Sequence, residues 1–135
     1  MGAWGVDVFD NDTACDYAAS VAETSNLAKI EATISGVLHS GTKYLEAPDG
    51  EECLAAADIV ARLRGNFGIC NAYTEDIDRW VKSIKLLPSP DLLDKARRAV
   101  ERVSTGPSEL IDLWTESDEF EAWKSSVDGL RQRLA

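Results

Sequence analysis

The chain has 135 residues, of which 44% are hydrophobic and 28% are charged, and this composition suits one folded domain with a single core. Asp and Glu number 24 against 14 Lys and Arg, so the net charge is −10. This acidity disfavours binding to nucleic acid or to an anionic membrane, since both are negatively charged, and it allows a basic protein partner. We therefore expect residues 1–135 to form one domain.

The three cysteines, Cys15, Cys53 and Cys70, are widely spaced and include no C-x-x-C pair that would indicate zinc binding or thiol exchange. The first residues lack the basic and apolar regions of a signal peptide, and no run approaches the ~18 apolar residues of a membrane-spanning helix. We expect a cytoplasmic protein in which the cysteines are small core residues.

The first stretch of the chain predicts an extended lead-in that ends at a helix N-terminus. Trp4 lies between two glycines, outside any helical pattern. Asp10 or Asn11 would be the N-cap, and Asp12 would lie near the positive end of the helix dipole. The first helix then covers about residues 11–23, with one apolar stripe formed by Ala14, Tyr17, Ala18, Val21 and Ala22.

Two further helices are predicted in the next part of the chain. Thr24 or Ser25 would cap the second helix, which ends at about His39. The third begins near Pro48 and ends at Gly65, because proline suits a first helical turn and glycine suits a C-terminal cap. Its inward face is rich in small side chains, which allow close approach of neighbouring helices, so we expect it to be central.

The remaining sequence predicts three or four more helices. Thr74 would cap the fourth, and Pro88 would end it, with an inward stripe of Ile77, Trp80, Val81, Ile84 and Leu87. Ser89 and Pro90 begin the fifth, which ends at Gly106 and Pro107. A brief helix follows Ser108 and a last helix follows Ser117. The predicted fold is an all-α, compact bundle of six or seven short helices.

The acidic residues of the first stretch invite a calcium or magnesium interpretation, since Asp10, Asn11, Asp12 and Asp16 place oxygen donors at short spacing. The EF-hand pattern fails, because a cysteine replaces its glycine turn and a valine replaces its terminal glutamate. We interpret these residues as helix-capping groups and expect no metal ligand and no cofactor.

No catalytic constellation is evident in the sequence. His39 is the single histidine, and it lies near a predicted helix C-terminus rather than beside a cysteine. Lys95, Arg98 and Arg102 form a basic stripe, but acids four residues earlier indicate a paired, solvated face. Three of the four tryptophans follow core stripes, whereas Trp4 either docks the N-terminal arm or lines a cleft.

Segments GAWG and FDND at the start, YLEAPDGEECLAAADIV in the middle and SELIDLW near the end resemble the bacterial family DUF4259, a domain of unknown function. The resemblance covers nearly the whole chain. The matching residues are Gly2, Trp4, Gly5, Phe9, Asp10, Asn11 and Asp12, with Glu46, Gly50 and Glu51. It implies a small, stand-alone bacterial protein and transfers no catalytic residue to any position.

Charge distribution provides the leading functional hypothesis. Residues 1–25 contain five acids and no base, and residues 105–135 contain seven acids and three bases. We expect a non-enzymatic interaction module that binds a basic partner, as immunity proteins bind basic toxins. The alternatives are a carboxylate enzyme or small-ligand or metal binder that uses the N-terminal block, and a structural protein that forms homo-oligomers. The candidate binding residues are Trp4, Asp10, Asn11, Asp12, Asp16, Glu46 and Glu51.

Overall fold

The computed structural model describes residues 2–135, and the regular structure of this part of the chain is entirely helical. The seven helices are α1 (Asp12–Val21), α2 (Ala28–His39), α3 (Ala47–Leu63), α4 (Glu75–Ile84), α5 (Pro90–Thr105), α6 (Glu109–Thr115) and α7 (Phe120–Leu134). The predicted all-α bundle is therefore confirmed. Among the helices described, none combines the length and the apolar character needed to cross a bilayer.

Helix α3 is the centre of the bundle, as its alanine-rich sequence predicted. It contacts all six other helices. Cys53, Ala56 and Ala57 are fully buried, and their small side chains let neighbouring helices pack close to the α3 backbone. Gly50 serves the same purpose, since an added Cβ would lie 3.3 Å from a methyl carbon of Leu110 on α6.

Side-chain capping bonds confirm two of the predicted helix caps, whereas Thr24, Thr74 and Ser108 make no such bond. Asn11 Oδ1 accepts the Ala14 N–H at 2.8 Å, and Ser89 Oγ accepts the Leu92 N–H at 3.1 Å. Thr24 does not cap α2, because its hydroxyl donates to the Val21 carbonyl at the end of α1. Helix α2 consequently begins three residues later than Ser25, at Ala28.

The inward stripe predicted for α4 is too long by its last residue. The helix ends at Ile84, and Lys85 adopts a left-handed conformation with φ of 53°. The chain leaves the bundle there, so Leu87 is 79% exposed instead of buried. Thr74 precedes α4 as predicted, but its side chain makes no capping hydrogen bond to that helix.

The lead-in lies outside the helices and folds back on itself to form a loop over residues 2–11, called here the N-terminal loop. Ala3 pairs with Asn11, and the Trp4 N–H donates to the Asp10 carbonyl at 2.9 Å. Asp10 Oδ2 accepts the Asp7 N–H at 3.1 Å. Glycine at position 5 leaves room for the Asp10 side chain, because a Cβ there would displace the Asp10 carboxylate.

Replacing Asn11 with alanine should lower the free energy of unfolding by about 0.5–2 kcal/mol, because it removes the acceptor of the Ala14 N–H. Urea unfolding followed by circular dichroism measures this loss. Asp12→Ala is the matched control, since Asp12 lies exposed in the same first turn and should cost less. A saturable stabilisation by calcium that Asp12→Asn abolishes would contradict the capping interpretation.

Candidate functional site

Helix α3 carries a buried arginine, Arg62. Arg62 is only 2% exposed, and each nitrogen of its guanidinium donates a hydrogen bond. Nε donates to Asp58 Oδ1 at 2.6 Å, Nη1 to Asp78 Oδ1 at 2.5 Å, and Nη2 to the Ile69 carbonyl at 2.7 Å. The three acceptors belong to α3, to α4 and to the segment between them, so one side chain fixes these elements together.

A second arginine, from the last helix, completes this group. Arg133 Nη2 lies 2.8 Å from Asp58 Oδ2, and its Nη1 lies 3.2 Å from Asp58 Oδ1. Thr74 donates to the remaining oxygen of Asp78 at 2.8 Å. We call Asp58, Arg62, Asp78 and Arg133 the buried ion network. Its two carboxylates and two guanidinium groups balance in charge, and it links α3, α4 and α7.

Arg62 remains charged despite its burial. Burial alone lowers the pKa of Arg62, but the carboxylates of Asp58 and Asp78 offset this effect and hold the pKa above its usual value. The guanidinium carbon also lies 5.4 Å from the ring centroid of Phe9 and 5.8 Å from that of Phe67. The Phe9 contact holds the N-terminal loop against Arg62, and the Phe67 contact holds the segment between α3 and α4.

A cleft of about 200 Å³ opens beside the buried ion network, between the N-terminal loop, residues 68–74 and α7. Asp7 and Asp10 belong to its loop wall, and Asp7 Oδ1 accepts the Ser126 hydroxyl at 3.1 Å. Within residues 2–135, neither of these two acids forms an ion pair. They differ in this from Asp58, which also lines the cleft and is paired with two further lining residues, Arg62 and Arg133.

Large apolar side chains stand exposed next to this cleft. Trp4 is 47% exposed and Tyr73 is 54% exposed, and their ring centroids lie 5.1 Å apart. Ile69, which lines the cleft, is also 54% exposed. Both rings are held beside the cleft by hydrogen bonds to residues that line it. The Trp4 N–H donates to the Asp10 carbonyl, and the Tyr73 N–H donates to the Asn71 side chain. An apolar rim therefore adjoins an acidic opening.

The structure brings together only part of the predicted site. Asp10 lines the cleft, Trp4 is hydrogen-bonded to the Asp10 backbone, and Asn11 caps α1. The other four candidates lie elsewhere. Asp12 and Asp16 are exposed on α1, and Glu46 is exposed before α3. Glu51 is half-buried and lines a small cavity, which Asn11, Trp114 and Trp123 also line. Burial raises the pKa of Glu51.

Sequence reasoning missed the buried ion network. One signal was present, because Asp58 and Arg62 are an i, i+4 pair inside a stretch of α3 that is otherwise apolar. Two opposite charges at this spacing lie either in solvent or buried as a pair, and the apolar residues on both sides of Asp58 and Arg62 favour burial of the pair. Asp78 and Arg133 carry no such local signal, since they meet Arg62 and Asp58 only in the folded chain.

The cysteines differ from their predicted role at one position. Cys53 is fully buried, as expected, and burial raises the pKa of its thiol to about 12. Burial, assisted by Asp12, Asp16 and Asp10, also raises the pKa of the Cys15 thiol. Cys70 is exposed, contrary to the core prediction, because it lies in the irregular segment between α3 and α4.

The prediction for the three tryptophans is confirmed, and the predicted pairing of the basic stripe is confirmed at Lys95 and Arg98, whereas Arg102 donates to the carbonyls of Gly41 and Pro107. Trp80, Trp114 and Trp123 are buried in the core. On α5, Lys95 pairs with Asp91, and Arg98 pairs with Asp94, each at the surface. In the part of the chain that the structure describes, no group of three or more His, Cys, Asp or Glu side chains is placed to hold a metal ion.

Comparison with known proteins identifies the family of the chain and nothing more specific. No curated protein and no solved structure matches it. The model of the family described as a domain of unknown function, DUF4259, matches residues 2–126. This match includes the N-terminal loop and three members of the buried ion network, and it stops before Arg133. Since it covers most of the sequence, the chain belongs to the DUF4259 family.

Proposed function

We propose that this protein is an interaction module that binds a basic segment of a partner protein. The binding face is formed by the apolar residues Trp4, Ile69 and Tyr73 and by the carboxylates of Asp7 and Asp10. The observation that carries the proposal is the exposed Trp4–Tyr73 pair beside two acids that have no basic partner within residues 2–135. Exposed tryptophan and tyrosine are the residue types most often found at the energetic centre of protein interfaces.

The distribution of charge supports a basic partner. Five acids and no base lie in residues 1–25, and seven acids against three bases lie in residues 105–135. These two segments adjoin in the fold, since Gly5 and Val6 line one small cavity together with Trp114 and Trp123. The face therefore lies in a region of negative potential, which would speed association with a cationic surface.

The buried ion network makes this face rigid. Arg62 holds the Ile69 carbonyl and the Phe9 ring, and so it fixes both walls that carry the exposed side chains. A preformed face loses little conformational entropy when a partner binds, so more of the contact energy remains as affinity. We also infer a reducing compartment such as the bacterial cytoplasm, which is supported by three free thiols.

A photo-crosslinking amino acid placed at position 4 should capture the partner in cells, and mass spectrometry should identify the segment that it contacts. We expect that segment to be rich in Lys or Arg. With the purified partner, Trp4→Ala should weaken binding at least about tenfold, and higher salt should weaken it further. Calorimetry at two salt concentrations measures both effects.

Leu87→Ala is the matched control, because Leu87 is even more exposed but lies on the loop between α4 and α5. It should leave affinity unchanged. Cross-linking of position 4 only to a second copy of this chain would favour a homo-oligomer instead. An acidic partner segment, or equal losses with Trp4→Ala and Leu87→Ala, would also contradict the proposal.

A further inference from the structure

We propose that residues 85–90, with the sequence KLLPSP, are a second binding element that docks into an acidic groove lined by aromatic rings on a partner protein. We call this segment the Leu-Pro tip. It follows the C-terminal end of α4, whereas Tyr73 of the binding face precedes the N-terminal end of the same helix. The ten residues of α4 span about 15 Å, so the tip is a separate surface and the inference does not depend on the proposed function.

The backbone of the Leu-Pro tip is held in an extended path. Lys85 is in the left-handed conformation, and it turns the chain out of α4. Pro88 and Pro90 each fix their own φ and keep the preceding residue out of the helical region. Ser89, between them, has φ of −67° and ψ of 158°, close to the polyproline II values of about −75° and +145°. The Ser89 hydroxyl also caps α5, which ties the tip to the bundle.

The Leu-Pro tip presents apolar side chains to solvent. Leu87 is the most exposed large apolar side chain of residues 2–135, and Leu86 beside it is exposed as well. A single exposed leucine is ordinary on a protein surface. Here two adjacent leucines belong to a backbone that two prolines stiffen, so a partner can bury them with little loss of conformational entropy. Polyproline II segments are bound in grooves that aromatic rings line, which indicates the shape of the partner's site.

Charge indicates the chemistry of the partner's groove. Residues 79–90 contain three bases, Arg79, Lys82 and Lys85, and no acid, although the chain has a net charge of −10. Arg79 already pairs with two acids of its own helix. Lys82 and Lys85 are exposed, and neither forms an ion pair with any residue from 2 to 135. Acids at the rim of the groove would therefore complement the tip, whereas the net charge opposes binding to an anionic membrane.

The probe for the test is an SH3 domain chosen for acidic residues beside its aromatic groove, since such domains bind polyproline II segments. In nitrogen-15 NMR titrations of the labelled domain, the whole protein should shift the groove signals in a saturable way. The same domain with those acids changed to amides should bind at least about fivefold more weakly. Absence of a saturable shift with the unmodified domain would overturn the proposal.

Variants of the Leu-Pro tip identify the contacts. Leu87→Ala should weaken binding of the probe at least about tenfold without changing thermal unfolding, because the side chain is exposed. Pro88→Ala should weaken it several-fold, since it frees the backbone and keeps both leucines. Lys85→Asn removes a charge and tolerates the left-handed conformation, so it should weaken binding most at low salt. Lys124→Asn, at an exposed lysine of α7, is the matched control and should have no effect.

Two further measurements separate the Leu-Pro tip from other surfaces and other occupants. Trp4→Ala should leave binding of the probe unchanged, so the tip and the binding face can each fail alone. Equal losses with Trp4→Ala and Leu87→Ala would mean that the probe does not read the tip. Vesicles of phosphatidylcholine and phosphatidylserine should not carry the protein with them on sedimentation. If they do, and Leu87→Ala prevents it, the tip is a membrane contact and the proposed groove is wrong.

Discussion

Replacing Arg62 with methionine should lower the free energy of unfolding by about 3–5 kcal/mol. Methionine fills much of the same space, but it leaves Asp58 with Arg133 alone and Asp78 with only the Thr74 hydroxyl. A carboxylate buried without its ion partner is strongly destabilising. Urea unfolding, followed by circular dichroism, measures the change, and Arg79→Met is the matched control.

Arg79 is an arginine of α4 whose ion pairs with Glu75 and Asp76 lie at the surface. Its replacement should cost less than about 1 kcal/mol, because water and salt screen exposed pairs. Adding Asp78→Asn to Arg62→Met should recover part of the loss by removing the unpaired charge. If Arg62→Met costs no more than Arg79→Met, the network does not hold the bundle together.

Trp80→Ala should lower the free energy of unfolding by about 3–5 kcal/mol, since it removes a large side chain that is only 6% exposed. The indole Nε1 also donates to the Thr24 carbonyl at 2.8 Å, which ties α4 to the turn after α1. The truncation therefore leaves both a cavity and an unbonded carbonyl. Differential scanning calorimetry and urea unfolding should agree on the size of the loss.

Trp80→Phe separates the two contributions. Phenylalanine keeps most of the apolar packing but lacks the N–H donor, so it should cost about 1–3 kcal/mol, less than alanine. A loss below about 1 kcal/mol for Trp80→Ala would mean that the side chain is exposed in solution. It would then be a second candidate anchor for a partner, and the position of α4 against α1 would need revision.

The helices were predictable because their signals are local. Apolar residues three and four positions apart mark a buried helix face without reference to the rest of the fold, as in α4 and α5. Helix ends were less predictable, since several groups compete for one hydroxyl. The Thr24 hydroxyl could bond either to the Val21 carbonyl or to an N–H in the first turn of α2. The sequence does not indicate that it bonds to Val21.

The candidate site was only partly predictable for a different reason. Trp4 and Asp10 stood out because they belong to an unusual local pattern. Asp58 and Arg133 are separated by 75 positions, and Trp4 and Tyr73 meet from opposite halves of the chain. Such pairings depend on how helices assemble, and no rule of spacing within one element contains that information.

The directions in which Arg62 donates also bear on how this family can change over time. Its three nitrogens serve Asp58, Asp78 and the Ile69 carbonyl at once. Lysine carries its three N–H donors on one nitrogen rather than across a planar fork, so we expect it to reproduce this spread of bonds poorly. We therefore expect substitutions at position 62 to be coupled energetically to those at positions 58 and 78, so that changing all three together costs less than the sum of the single changes.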